Sequence, residues 1–169
     1  MVKPRMPAPT LDVALVDGDQ WRLADRQPDA FTFVVFYRGY HCPVCKTYLR
    51  DLDRLVDDFA ALGVDCVAVS GDSEQRARQS VQEWGIERLP IGYGQTIESI
   101  REWGLFISKG LNDHEPDEFG EPGLFLVRPD GTIYAEVLNS MPFGRPKLDD
   151  VLKSVAWVEK NDYPPRGEA

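Results

Sequence analysis

At 169 residues, 43% of them hydrophobic, the chain is long enough to bury one sizeable core and too short to bury two, so a single domain over 1–169 with its core at about 11–160 is expected. There are 28 Asp and Glu against 19 Lys and Arg, a formal charge of -9, and no basic run that could track a phosphate backbone, which argues against a nucleic-acid partner. No apolar stretch of secretory-signal length opens the sequence, and the longest apolar run, Phe31 to Tyr37, falls far short of the roughly 20 residues that span a bilayer; a cytoplasmic protein with no membrane partner is the expectation.

In chain order, Leu11 to Leu23 alternates weakly around Asp17-Gly18-Asp19, a turn signal that predicts a small peripheral hairpin. Phe31 to Tyr37 is β-branched and aromatic throughout, the pattern of a strand buried on both faces of a mostly parallel sheet. From Pro43 the apolar residues Val44, Tyr48, Leu52, Leu55, Val56 and Phe59 recur at helical spacing and stop near Gly63. Val64 to Ser70 reads as the next strand, and Ser73-Glu74 opens a helix that ends at Gly85. Leu89 to Gly92 suggests a short strand, and Thr96 to Trp103 a short helix ending at Gly104. The repeated Glu-Trp-Gly at 83–85 and 102–104 is expected to be two helices that each bury a Trp in the last turn, without a functional role. A loop over 105–121 follows, holding Lys109, Asn112, His114 and several acids, which reads as a solvated face. Leu124 to Arg128 and Thr132 to Leu138 flank the turn Pro129-Asp130-Gly131, and Leu148, Val151, Leu152, Val155 and Val158 give a last amphipathic helix. The predicted order is a β-hairpin, then βαβαβα, then ββα.

The chemistry falls on Cys42-Pro43-Val44-Cys45, at the turn from the apolar strand into the first long helix. With Cys42 as N-cap, Pro43 occupies the first helical position, where its missing N–H costs nothing. A Cys42 thiolate there would accept from the N–H of Val44 or Cys45 at the positive end of the helix dipole, and both effects lower its pKa. Cys42 is therefore the expected nucleophile, and Cys45, one turn on and less exposed, the resolving thiol. His41 could tune the site when charged. A zinc site would need four ligands, and the only further nitrogen or sulfur donors are His41, Cys66 and His114, so neither a metal nor another cofactor is expected. Inert packing of the pair is a weaker alternative, because a strand-to-helix turn is an accessible place. Cys66, mid-strand among valines, reads as structural.

From Phe31 to about Val158 the chain resembles the thioredoxin-like alkyl hydroperoxide reductase/thiol-specific antioxidant family, the peroxiredoxin relatives. The resemblance rests on Phe36-Tyr37 before the turn, the helix from Pro43, the strand ending Ser70-Gly71-Asp72, and Pro142-Phe143-Gly144-Arg145-Pro146 before the last helix. It implies an α/β thioredoxin fold, a central mixed sheet flanked by helices, here with an N-terminal hairpin. Peroxiredoxins carry a Thr or Ser before the peroxidatic cysteine, a proline further upstream, and an arginine just before the strand that begins Gly-Leu-Phe. Aligned on Phe36-Tyr37, Cys45 stands at the peroxidatic place, Cys42 at the Thr, Arg38 at the Pro, and Pro122 at the arginine, while Arg145 matches a second arginine of that family. Pro122 instead resembles the cis-proline that thioredoxins place before this strand, where it leaves a backbone edge open to an extended partner.

These departures point toward thiol–disulfide exchange with an antioxidant role. The substrate would be a protein disulfide or a peroxide, the reductant a thiol of thioredoxin or glutathione type, and a homodimer stays open. The alternative is an atypical peroxiredoxin in which Cys45 is oxidised to a sulfenic acid and Cys42 condenses with it, with Arg38 or Arg145 replacing the lost arginine. Closing so short a loop is expected to need local unwinding of the helix. A third reading, from outside catalysis, is a redox-sensing binding protein whose loop 105–121 is the recognition surface.

Overall fold

The structure, a computed structural model, describes residues 2–169. The first turn signal folds as expected, with β1 (Asp12–Leu15) and β2 (Gln20–Arg22) joined through Gly18 at φ +103°. The apolar run forms β3 (Phe31–Phe36), every residue of it buried. It leads into α1 (Pro43–Ala61), then β4 (Val64–Val69), α2 (Glu74–Trp84), β5 (Ile91–Tyr93) and α3 (Ile97–Glu102). Within the segment read as a loop lies a second hairpin, β6 (Ile107–Lys109) with β7 (Glu118–Gly120). The chain closes with β8 (Gly123–Val127), β9 (Ile133–Leu138) and α4 (Leu148–Asn161).

Seven strands make one mixed sheet in the order β2-β1-β5-β4-β3-β8-β9. β3 runs parallel to β4 and antiparallel to β8, so it is the central strand that the sequence predicts. The N-terminal hairpin is not peripheral: β1 pairs with β5, and Val13, Leu15 and Trp21 are buried. Because strand side chains alternate, β3 serves two cores. Phe31, Phe33 and Val35 pack with Leu49 and Phe59 of α1, Ala77 and Trp84 of α2, and Val155 of α4. Val34 and Phe36 face the other way, onto Ile100 of α3, Trp103 and Trp21. Both Trp residues of the repeated tripeptide are buried, with Gly85 and Gly104 in left-handed backbone just after the helices, which accounts for the repeat by packing alone. No helix among the described residues is long and apolar enough to cross a membrane.

Two polar contacts hold the helices where the site needs them. Asp53, buried midway along α1, accepts from the backbone N–H groups of Glu87, Arg88 and Leu89 and so fixes the approach to β5. Ser73 caps α2 by accepting from the N–H of Arg76, the residue whose guanidinium reaches toward the cysteine turn. Replacing Ser73 with Ala is expected to cost about 1 kcal/mol, read as a lower midpoint of chemical unfolding with an unchanged slope.

Candidate redox site

Cys42 is the N-cap of α1, in extended backbone at φ -104°, ψ 100°, and Pro43 takes the first helical position. Its Sγ accepts from the Cys45 N–H at 3.1 Å, the hydrogen bond expected from the spacing. The two cysteines are joined as a disulfide with Cα atoms 5.2 Å apart, and α1 starts at Pro43 regardless. The oxidised state therefore needs no unwinding of the helix, contrary to expectation, because Cys42 sits outside the first helical turn and its side chain can swing back onto the turn it caps. Accessibility also differs from the sequence reading. Pro43 and Val44 are exposed, but Cys42 is only 2% exposed and Cys45 0%, so the pair is nearly sealed.

Arg145 comes from the loop before α4 and places Nη2 3.6 Å from Cys45 Sγ. It is therefore part of the site. Burial pushes its guanidinium down to about 10, still charged at neutral pH. Arg38 is occupied differently. Its Nε and Nη2 each donate to the Glu121 carboxylate at 2.7 Å, and its guanidinium lies 5.4 Å from the Phe119 ring centroid. The Ser108 hydroxyl donates to the same carboxylate, which is 1% exposed. Of the two arginines considered as replacements for the lost one, it is Arg145 that meets the sulfur, while Arg38 is neutralised by Glu121.

His41 packs its ring edgewise on Phe119 at 4.7 Å, and Nδ1 lies 3.4 Å from Arg76 Nη2. Burial lowers its pKa, against the Asp72 carboxylate, which raises it, and with Arg76 adding to the lowering, so the packing disfavours the charged imidazole that the sequence reading invoked. His114 approaches through its backbone: its carbonyl accepts from Arg76 at 3.1 Å, and its side chain is exposed beside His41 and Pro43. Asp72 completes this side, accepting from the Tyr40 N–H and from Arg76 Nε. A Cβ at Gly39, whose φ is +130°, would overlap that carboxylate, so the turn before the cysteines requires glycine.

Pro122 departs from the thioredoxin pattern. No peptide bond among the described residues is cis, and the backbone edge is closed: the Glu121 N–H donates to the Phe106 carbonyl and the Pro122 carbonyl accepts from Asn139 N–H. An extended partner cannot add as a strand there unless β6 or the loop after β9 moves away.

Sequence reasoning missed Tyr48, Glu121, Ser108 and Phe119. The available signals were slight: Tyr48 lies one helical turn after Cys45, and Glu121 precedes Pro122. Cys66 is buried on β4, and burial pushes its thiol up to about 12. Unfolding thus releases a proton above pH 9, and the contribution of this group to stability is lost as pH rises from there toward 12. In native, reduced protein at pH 8, Cys66 is expected to stay unalkylated by iodoacetamide, as peptide mass spectrometry would show; labelling at the rate of a free thiol would contradict its burial.

Comparison with known proteins agrees with this geometry. The AhpC/TSA family model matches residues 4–136. An alkyl hydroperoxide reductase C from Amphibacillus xylanus is 29% identical over 138 residues, 78% of this chain and 69% of its own length. Among solved structures, the peroxidoxin BcpB of Mycobacterium tuberculosis superposes with a TM-score of 0.75 at 16% identity, covering 94% of this chain and 99% of its own. Enterococcus faecalis AhpC gives 0.76 at 18% identity, over 99% of this chain and 100% of its own. At those identities the structures establish the fold, and the family follows from the sequence match and the cysteine turn together. The chain belongs to the AhpC/TSA family and is a thiol-dependent oxidoreductase of the antioxidant class, built on a thioredoxin-type Cys-x-x-Cys.

Proposed function

We propose that the protein is a thiol–disulfide oxidoreductase in which Cys42 is the nucleophile and Cys45 the resolving thiol. The observation that carries this reading is the helix cap. Cys42 Sγ accepts the Cys45 N–H at the positive end of a 19-residue helix, which favours its thiolate, and the disulfide it forms leaves that helix intact. The Cys42 thiolate attacks one sulfur of a substrate disulfide, and the other sulfur leaves as a thiolate. Cys45 then attacks Cys42 Sγ, releasing the reduced substrate and closing the Cys42–Cys45 bond. Two equivalents of a monothiol of glutathione type, or one of a dithiol of thioredoxin type, regenerate the Cys42/Cys45 dithiol and are themselves oxidised to a disulfide. In this reading the protein works in the cytoplasm, on protein disulfides, and can do so as monomer or homodimer.

A second reading, peroxide reduction at Cys45, is favoured by one observation: the charged Arg145 guanidinium at 3.6 Å from Cys45 Sγ. There the Cys45 thiolate attacks one peroxide oxygen, the O–O bond breaks and the other oxygen leaves as an alcohol or water, and Cys42 condenses with the resulting sulfenic acid to give the same disulfide and a water. Trapping separates the two. In the Cys45→Ser variant, a small aromatic disulfide is expected to leave a stable mixed disulfide on Cys42, seen as a mass increase of the intact protein; an adduct that forms only on Cys45, in the Cys42→Ser variant, would overturn the assignment.

A further inference from the structure

Arg145 carries a charge that no acidic side chain among the described residues cancels. Among the described residues it takes part in no ion pair, and its Nε and Nη1 are buried without a hydrogen-bond partner. Two other arginines placed around the cysteine turn are treated differently: Arg38 is paired with Glu121 and Arg76 with Asp72. What holds Arg145 instead is one residue of α1. The Tyr48 ring lies 4.3 Å from its guanidinium carbon, and the Tyr48 hydroxyl donates to the Pro146 carbonyl at 2.9 Å, so the ring and the hydroxyl grip adjacent residues of the same loop. Tyr48 follows Cys45 by one helical turn and therefore shares its face of the helix.

We propose that Tyr48 is a positioning residue: it holds Arg145 against Cys45 Sγ without neutralising it, keeping the guanidinium free as counter-ion for the sulfur released when the disulfide is reduced. This rests on the reading of Cys42 and Cys45 as the redox pair. A carboxylate in place of Tyr48 would also hold the arginine, but it would cancel the charge. An aromatic face attracts the cation through its quadrupole and leaves the net charge in place. When a reductant thiolate attacks Cys42 Sγ, a bond forms between those two sulfurs, the Cys42–Cys45 bond breaks, and its electron pair goes to Cys45, which emerges as a thiolate beside Arg145. A better-stabilised leaving thiolate departs faster. The other nearby cation, Arg38, contributes little because Glu121 offsets it.

The test titrates Cys45 directly, by thiolate absorbance at 240 nm in a Cys42→Ser background, where serine preserves the helix cap. Tyr48→Leu is expected to reduce the thiolate fraction at pH 7 about tenfold, whereas Tyr48→Phe, which keeps the ring, reduces it less than about threefold. Arg145→Met should match Tyr48→Leu, and the two together should be no worse than either alone. Parent-like titration in Tyr48→Leu, or an effect that adds to that of Arg145→Met, would overturn the proposal. Should Tyr48→Leu fold poorly, comparing Tyr48→Phe singly and with Arg145→Met decides the same point: a small loss that disappears once the arginine is gone supports it, and an unchanged loss refutes it. Absence of turnover in the wild-type protein would instead undermine the redox reading, which this titration does not depend on.

Discussion

Serine at position 42 is expected to lower turnover of a disulfide substrate on the order of 10⁴-fold or more, because it removes the attacking sulfur itself and leaves the fold in place. The helix should be indifferent to the change. Serine is a preferred N-cap and can accept the Cys45 N–H that Cys42 Sγ now accepts at 3.1 Å. Cys45→Ser should behave differently although it also loses turnover. It retains the first attack and stalls as a mixed disulfide on Cys42, so a single stoichiometric burst of released thiol precedes the stop. Steady-state turnover with a coupled reductant, together with the burst amplitude, distinguishes the two variants. A Cys42→Ser enzyme that still gives the burst would put the first step on Cys45.

Replacing Glu121 with Gln is expected to destabilise the protein by about 3–5 kcal/mol, read from chemical denaturation. The carboxylate is 1% exposed and Arg38 17%, and two N–H groups of the arginine donate to it. Glutamine keeps the shape but leaves a half-buried guanidinium without its counter-charge. The same change weakens the tie to β6, since the Ser108 hydroxyl donates to this carboxylate. Replacing both partners, Arg38→Met with Glu121→Leu, should recover most of the loss, because an apolar pair carries no desolvation cost. If the single variant were as stable as the wild type, the buried pairing of Arg38 with Glu121 would be wrong.

The parts of the fold that were legible in the sequence are those with long, consistent patterns. β3 could be read from six successive β-branched and aromatic residues, and the start of α1 from Cys-Pro, because a cap and a first-turn proline are local devices. The hairpin at 107–120 was not legible: its strands are three residues each, Ile107-Ser108-Lys109 and Glu118-Phe119-Gly120, too short to show alternation. Glu121 was hidden for another reason. A glutamate reads as exposed unless its partner is known, and that partner, Arg38, lies 83 residues away. The nearness of the two cysteines could be expected from their spacing, whereas the approach of Arg145 to Cys45, the burial of His41 and the closed edge at Pro122 are products of tertiary packing. Tyr48 illustrates the same limit. Its place on the apolar stripe of α1 suggests core, and only the loop that folds back over it gives it a cation to hold.

The most direct test of the central claim is a stopped-flow comparison of reduced wild type, Cys42→Ser and Cys45→Ser, each mixed with hydrogen peroxide and, separately, with a small disulfide. The account predicts slow peroxide reaction in all three, and disulfide reduction whose first step is present in wild type and Cys45→Ser and missing in Cys42→Ser. Fast peroxide reaction that disappears only in Cys45→Ser would contradict it and make Cys45 the peroxidatic residue.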